Sequence, residues 1–420
     1  MPEELARRLG TTDAVVVGLS AMIGAGVFAA FAPAAAAAGH WLLASLALAA
    51  VVAYCNATSS ARLAALYPES GGTYVYGRRR LGPLWGYLAG WGFTVGKTAS
   101  CAAMALTFGS YALPGLERPL AIAAVAVLTL LNLFGVQRSA GAARIIVAFV
   151  LAVLVIVILA GLAGDGSAGF GWSAHPPGTE VSLRFDGWGV MQGAGLLFFA
   201  FAGYARIATL GEEVRDPART IPRAVGIALG ITLAVYALVA VAALRTLRPE
   251  LLATSDAPLA DLVRRAGFGW LAPVVGAGAA VAALGALLAL LLGVSRTVLA
   301  MARERDLPGA LAAVDPVRQV PRRAELAVGG AVIVLLLVAD LREAIGFSSF
   351  GVLVYYAVAN ACALTLRRDE GAPPRAVPVL GLALCLGLAA TLPMTSVVAG
   401  LAVFAAGLAI HAVRRGRAGR

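Results

Sequence analysis

Lys97 is the residue in this sequence whose type and position most clearly indicate a chemical role. It is the only lysine among the 33 basic residues, and it lies in an apolar stretch, "GFTVGKTASCAAMAL", from Gly92 to Leu106. A lysine amine can lose its proton, whereas an arginine guanidinium stays charged. Because arginine fills every other basic position, the single lysine indicates a need for an amine that exchanges protons.

Two other apolar stretches carry glycines near their centres. "GLSAMIGAGVFAAFAPAAAAAG" (18–39) contains Gly24 and Gly26, and "GLLFFAFAGYARIATLGEEV" (195–214) contains Gly203. Glycine lets a buried helix unwind, which frees amide groups at the start of one half-helix and carbonyl groups at the end of the other. Glycines in such a helix are also typical of close helix packing, so this alternative stays open.

Freed backbone groups of this kind predict a binding site. The amides of Ala25, Gly26 and Val27 can hold a carboxylate at the positive end of a helix dipole. Carbonyl groups near Met22 and the second glycine stretch can accept hydrogen bonds from an ammonium group. The predicted binding residues are Met22, Ile23, Gly24, Ala25, Gly26, Val27, Phe199, Ala202 and Gly203.

The composition identifies the environment in which these residues must lie. Hydrophobic residues make up 60% of the chain, charged residues make up 13%, and the mean hydropathy is +0.86. A soluble core cannot hide so much apolar surface, so we expect an all-α integral membrane protein. Apolar runs near the ~20 residues that cross a bilayer predict twelve spans. These predicted spans 1 to 12 are 13–38, 41–66, 82–113, 119–136, 143–163, 188–211, 221–244, 270–302, 324–341, 343–366, 375–392 and 395–414.

The arginines predict the orientation of these spans. With the N-terminus in the cytoplasm, 24 basic residues fall on the cytoplasmic side and 7 on the outside, as the positive-inside rule requires. We therefore expect a multi-pass protein of the cytoplasmic membrane with both termini inside. The net charge of +11 is explained by topology, so nucleic-acid binding is not needed to account for it. The polar start "MPEELARRLG" does not resemble a cleavable signal peptide.

A weak internal repeat divides the chain. "YVYGRRRLGPLWGYLAGWG" (74–92) and "DLVRRAGFGWLAPVVGAGA" (261–279) each combine a basic amphipathic turn, a hinge of Gly, Pro and aromatic residues, and a long span. One lies on each predicted side of the membrane, which is typical of the inverted repeats of secondary transporters. We predict a first repeat at 1–163, an inverted second repeat at 164–366, and an appendage of spans 11 and 12 at 367–420.

Four stretches resemble a known family. They are "IGAGVF" (23–28), "PESGGTYVY" (68–76), "FFAFAGYARIATLGEEVRDPARTIPRA" (198–224) and "SRTVLAMARERDLP" (295–308). In order and spacing they are similar to the signature stretches of bacterial amino acid permeases of the amino acid/polyamine/organocation superfamily. The resemblance implies a leucine-transporter-type fold, with five helices in each inverted repeat and breaks in helices 1 and 6. It also implies an α-amino acid substrate between those breaks, with proton, sodium or exchange coupling.

This sequence differs from that family at the positions that usually bind the coupling ion. The second sodium site of the fold draws on hydroxyl groups of span 8, but residues 271–294 contain no Ser or Thr, so sodium is disfavoured. A lysine found on helix 5 of several proton-coupled members is replaced by Val150. An acid found near the helix 6 break of some exchangers is replaced by Ala205.

Lys97 is therefore the predicted coupling residue. It lies 13 residues after Leu84, or ~20 Å along span 3, which is near the midplane of the membrane. A buried ammonium group costs at least ~2.5 kcal/mol there, so Lys97 must be compensated. It is either neutral for much of the time, paired with the substrate, or bonded to freed carbonyls in a structural role. Asp13, Glu212, Glu213, Glu325 and Asp340 all lie near the ends of spans.

The predicted function is secondary active transport of a neutral or acidic amino acid, coupled to protons by alternating access. The alternatives are an amino acid exchanger, or a carrier for a polyamine or a nucleobase. A gate is predicted at Arg206, Glu212 and Glu213, although an ordinary solvated charge cluster explains them equally well. We expect no enzymatic activity, cofactor or metal site, because the spans lack convergent His, Asp or Cys residues. The sequence does not predict an oligomeric state.

Overall fold

The computed structural model describes residues 9–68, 71–135, 140–164, 185–208, 214–315 and 318–418. In this part of the chain the regular structure is helical, apart from an isolated bridge between Leu9 and Val214. The α-helices are α1 Thr11–Met22, α2 Gly26–Ala29, α3 Phe31–Ala38, α4 Leu42–Leu66, α5 Thr73–Arg80, α6 Pro83–Ala112, α7 Glu117–Leu133, α8 Ala140–Ala163, α9 Gly187–Phe201, α10 Ala205–Ala208, α11 Pro217–Thr246, α12 Pro249–Thr254, α13 Pro258–Arg265, α14 Ala272–Arg303, α15 Arg322–Val338, α16 Leu341–Leu364, α17 Ala376–Thr391 and α18 Met394–Ala418.

Seven helical segments of the described residues are long and apolar enough to cross a membrane. They are Thr11–Ala29, Phe31–Leu66, Gly141–Ala163, Pro217–Thr246, Gly269–Arg303, Leu341–Leu364 and Met394–Arg414. The protein is therefore a multi-pass membrane protein, as the composition predicts.

The other predicted spans are also helical, but each is either too short or not apolar enough to meet both the length and the hydropathy condition. α7, α9, α15 and α17 have 15 to 17 residues, or at most about 25 Å, which is shorter than a bilayer core. α6 has 30 residues, but Lys97 and many Gly, Ser and Thr residues lower its hydropathy. The count of twelve spans and the five-plus-five repeat therefore stay predictions.

The two segments on which the repeat prediction rests have similar local structures. Each predicted basic turn is an eight-residue helix, α5 in the first half and α13 in the second. Each is followed by a long helix, since α6 has 30 residues and α14 has 32.

α6 lies at the centre of the molecule and packs along both α14 and α16. The contact with α16 is close because glycines face each other. A Cβ atom built on Gly96 would lie 3.2 Å from the Cα atom of Gly351, and one built on Gly351 would lie 2.8 Å from the carbonyl oxygen of Gly92. Lys97 follows Gly96 directly, so this contact fixes the height of the lysine in the bundle.

Ion pairs join α5 to the end of α14 at the side of the molecule that the arginines predict to be cytoplasmic. The guanidinium group of Arg78 contacts Asp306 at 2.8 Å and Glu304 at 3.0 Å, and the Tyr74 hydroxyl donates to Asp306 at 2.7 Å. Burial, together with the hydrogen bond to Asp306, raises the pKa of Tyr74, so its hydroxyl keeps the proton that it donates. The imidazole of His411 in α18 lies 3.6 Å from the other carboxylate oxygen of Asp306. Asp306 therefore anchors α5 and α18 to α14.

Candidate substrate site at two interrupted helices

The first interruption separates α1 from α2. The α-helical hydrogen bonding ends at Met22, and α2 starts at Gly26 and is followed almost directly by α3. Within the described residues, the amides of Ala25, Gly26 and Val27 donate no hydrogen bond. These are the groups that the sequence predicts to be free for a carboxylate.

The second interruption separates α9 from α10. α9 ends at Phe201, and a 3₁₀ turn of three residues, Ala202–Tyr204, leads into α10. Because the turn departs from α-helical geometry, backbone carbonyls near its start can accept hydrogen bonds from side chains.

The two interruptions lie directly against each other. A Cβ atom on Gly26 would lie 2.6 Å from the Cα atom of Ala200, and one on Gly203 would lie 2.3 Å from the carbonyl oxygen of Ala21. Backbones approach this closely only where side chains are absent. The close-packing interpretation of Gly26 and Gly203 is therefore correct in this structure, whatever they also contribute to binding.

Tyr236 of α11 joins the two interruptions through its hydroxyl group. The hydroxyl oxygen lies 2.6 Å from the carbonyl oxygen of Met22 and 3.1 Å from that of Ala200. Since a phenol carries one proton, it donates to one of these carbonyls at a time or is shared between them. Tyr236 is fully buried, with 1% of its surface exposed. It therefore satisfies backbone groups that unwinding leaves without a helical partner.

Lys97 reaches the second interruption from α6. Its Nζ atom donates to the carbonyl oxygen of Ala202 at 3.3 Å, and the Tyr356 hydroxyl of α16 lies 3.5 Å from the same oxygen. Lys97 is 6% exposed. Lys97 therefore makes the bond to a freed carbonyl that the sequence predicts as one arrangement. Its protonation, its pairing with a substrate and its role in coupling stay predictions.

Tyr111 ties the first interruption to the side of the molecule predicted to be extracellular. Its hydroxyl donates to the carbonyl oxygen of Phe28 at 2.9 Å and accepts from the amide of Leu259 at 3.1 Å. Phe28 belongs to α2 and Leu259 to α13, so this single hydroxyl links the half-helix after the break to an outer helix.

The predicted binding residues come together around these contacts. Met22, Ile23, Ala25, Val27, Phe199 and Ala202 are all buried, and Gly24 and Gly26 lie among them. The structure therefore describes a closed arrangement of the two interruptions. Their role in binding stays a prediction.

The predicted gate is only partly described. Arg206 lies in α10 and is partly buried. Glu212 and Glu213 lie outside the described residues, so the gate also stays a prediction.

Sequence reasoning missed the side chains that hold the interruptions and one buried acid. Tyr111, Tyr236 and Tyr356 belong to other helices, and no local pattern indicates which backbone carbonyls their hydroxyls reach. Glu325 lies near a span end, as its position suggests, yet none of its surface is exposed. The sequence signal for Glu325 was its place in the apolar run that follows Arg322 and Arg323.

These features describe a multi-pass helical membrane protein with two facing helix interruptions. Residues 9–413 match the family model for amino acid permeases. The chain belongs to this family, which agrees with the resemblance in its motifs.

The relatives that are named for a substrate carry different classes of amino acid. The chain is 64% identical over 415 residues to an uncharacterized transporter of Mycobacterium tuberculosis, covering 99% of this chain and 93% of the relative. It is 26% identical over 441 residues to a branched-chain amino acid permease of Bacillus subtilis, covering 97% of this chain and 93% of the relative. It is 30% identical over 400 residues to cationic amino acid transporter 4 of Homo sapiens, covering 89% of this chain and 62% of the relative. Membrane transport of amino acids is the common element of the last two.

Proposed function

We propose that this protein is a secondary active transporter that carries a neutral or acidic amino acid through the cytoplasmic membrane and couples its movement to protons. The observation that carries the proposal is the pair of facing interruptions, where backbone amides and carbonyls of two helices meet at one place. An α-amino acid presents a carboxylate and an ammonium group on one carbon atom, and these two sets of backbone groups complement them.

The carboxylate is proposed to bind the amides of Ala25, Gly26 and Val27. The ammonium group is proposed to bind carbonyls at the ends of the interrupted helices, with Met22 and Ala202 as the main candidates. In the closed arrangement, side-chain donors already hold those carbonyls: Tyr236 at Met22 and Lys97 at Ala202. Loading a substrate therefore requires these donors to move or to share their acceptors, which links binding to a change of conformation.

The cationic alternative has support from some relatives, since several are named as cationic amino acid transporters. Two charges of this chain oppose it. Lys97 lies at the second interruption and Arg206 lies four residues after Ala202, so a cationic side chain would meet charges of its own sign in a medium of low dielectric constant. We therefore propose a substrate without a net positive charge.

The test is uptake by the purified protein in proteoliposomes. A panel of labelled amino acids would be offered with an imposed inward proton gradient, an inward sodium gradient, or neither, and protein-free vesicles serve as the control. We expect accumulation of at least one neutral or acidic amino acid that depends on the proton gradient. Accumulation driven only by sodium, or exchange without any accumulation, would contradict the proposed coupling. Uptake restricted to cationic amino acids would contradict the proposed substrate class.

A further inference from the structure

Glu325 is a fully buried acid that the proposed transport mechanism does not use. It lies in the first turn of α15 and packs between α14 and α7, with 0% of its surface exposed. Within the described residues it forms no ion pair with an arginine, lysine or histidine. An isolated buried carboxylate is among the most costly groups in a protein interior, and more so inside a membrane.

The contacts around Glu325 indicate whether its side chain carries a proton. Its Oε1 atom lies 2.6 Å from the hydroxyl oxygen of Ser295, and the same hydroxyl lies 3.0 Å from the carbonyl oxygen of Leu292. A serine hydroxyl carries one proton and can donate only once. If Glu325 were a carboxylate, one of these two contacts would join two acceptors without a proton between them.

A protonated Glu325 satisfies every contact. The acid donates its proton from Oε1 to Ser295, Ser295 donates to Leu292, and the side-chain amide of Asn132 donates to Oε2 at 3.4 Å. If the amide of Asn132 were reversed, its oxygen would face Oε2 and the acid would again need a proton, this time on Oε2. The Ser295 hydroxyl would then be left with two acceptors, so the orientation with the amide nitrogen toward Oε2 is the one that satisfies these contacts.

We propose that Glu325 is a proton-binding site, held as a neutral carboxylic acid at the junction of α7, α14 and α15. The proton is its ligand, and Ser295 and Asn132 are the groups that recognise the protonated form. Its hydrogen-bonding groups lie on α7, α14 and α15 and not on α6, which carries Lys97, and the site does not depend on which substrate is carried.

Few charged or titratable groups face this junction. Arg296 follows Ser295 on α14, Arg322 and Arg323 begin α15, and Cys101 of α6 lies close enough to sense the charge of Glu325. α7 contributes the uncharged Asn132. Release of the proton would leave a carboxylate with no ion-pair partner and a Ser295 hydroxyl with two competing acceptors. Proton release is therefore tied to a rearrangement of α15 against α14 and α7.

Infrared difference spectroscopy of the whole protein in lipid tests the site directly, because a protonated carboxyl group has a carbonyl stretch that a carboxylate lacks. At neutral pH, we expect this band in the wild type and its loss in Glu325→Gln. Glu250→Gln is the matched control: the side chain of Glu250 is 68% exposed, outside any buried junction, so its removal should leave the band unchanged.

Ser295→Ala provides a second variant that keeps the acid. It removes the acceptor of the Glu325 proton, so the band should persist and move to higher frequency, as expected for a carboxylic acid that loses a hydrogen bond. The proposal is overturned if Glu325→Gln removes carboxylate bands instead of the carbonyl band at neutral pH, or if Ser295→Ala leaves the band unmoved. Neither measurement uses transport, so its outcome is independent of the proposed function.

Discussion

The side-chain nitrogen of Lys97 lies 3.3 Å from the carbonyl oxygen of Ala202. The only lysine of the chain therefore contacts the turn that interrupts α9, at a carbonyl that we propose for the substrate ammonium group. One carbonyl cannot serve two ammonium groups without strong repulsion between them in a buried site. Protonation of Lys97 and occupation of the site should therefore influence each other.

The coupling role of Lys97 is tested by two substitutions. Lys97→Ala removes the amine, and Lys97→Arg keeps a positive charge but cannot release a proton. We expect both to lose proton-driven accumulation in proteoliposomes, down to the level seen without a gradient. Counterflow exchange of substrate is the matched control, since it needs no net proton movement and should persist in a folded variant. A Lys97→Arg protein that still concentrates substrate with the wild-type pH dependence would show that the lysine has only a packing role.

The bridge made by Tyr236 predicts a loss on removing one oxygen atom. Tyr236→Phe leaves the carbonyls of Met22 and Ala200 without this donor, which should lower stability by about 1–3 kcal/mol because a buried acceptor is left unsatisfied. Thermal unfolding in detergent measures the change. Tyr54→Phe removes the hydroxyl of a tyrosine that is 58% exposed and should leave the melting temperature unchanged. Equal melting temperatures for Tyr236→Phe and wild type would mean that the bridge does not stabilise the closed arrangement.

The glycine at the second interruption should not tolerate a methyl group. In Gly203→Ala the new Cβ atom would lie 2.3 Å from the backbone of Ala21, so α1 and α9 must separate, at a cost of about 1–3 kcal/mol or more. Gly230→Ala in α11 is the control, since no atom lies within 4 Å of the new Cβ atom and alanine favours a helix by up to ~1 kcal/mol. Folded protein yield by size-exclusion chromatography should fall for the first variant and hold for the second. The reverse order would contradict the close approach of the two interruptions.

Selection by charge predicts the substrate profile. Arginine, lysine and putrescine should compete poorly with a neutral amino acid for uptake, because Lys97 and Arg206 lie near the second interruption. Competition is measured as the inhibition of labelled neutral amino acid uptake by each unlabelled compound. Saturable uptake of arginine or putrescine at comparable affinity would contradict the prediction and favour the cationic alternative.

Arg78 offers a comparison of a buried and an exposed ion pair in one side chain. Its partner Asp306 is 6% exposed and also accepts from Tyr74, whereas its partner Glu304 is 54% exposed. Asp306→Asn should lower stability by about 1.5–3 kcal/mol, as hydrogen bonds to a buried charge do. Glu304→Gln should change it by less than about 1 kcal/mol, because water screens an exposed pair. Similar losses in the two variants would mean that burial does not strengthen the Asp306 contacts.

Much of the helical architecture follows from local patterns. The predicted spans contain helices because apolar runs of this length favour helices in a membrane, where every backbone group must be bonded within its own segment. The interruptions at Gly24, Gly26 and Gly203 were predictable for the complementary reason, since glycine weakens a helix at the point where it occurs. The short helices α5 and α13 were visible as basic amphipathic turns.

The partners across the bundle were not predictable in this way. Nothing near Tyr236 in the sequence indicates that its hydroxyl reaches Met22, which lies 214 residues earlier in the chain. The position of Glu325 in the sequence gives only its distance from a span end, whereas its burial depends on how α7 and α14 pack around it. The position of a residue along a helix indicates its depth in the membrane. The exposure of its side chain also depends on which face of the helix packs against a neighbouring helix.

From the amino-acid sequence alone it follows that the chain is a helical membrane protein, that two helices are interrupted, and that the single lysine lies near the middle of a long helix. Composition and periodicity are local properties of the sequence, so what they predict does not depend on how the helices pack together. The packing of the folded chain establishes that Lys97 bonds to Ala202, that Tyr236 joins the two interruptions, and that Glu325 shares a buried junction with Ser295 and Asn132. These contacts depend on the relative rotation and height of helices far apart in the chain, which close packing at residues such as Gly96 and Gly203 fixes.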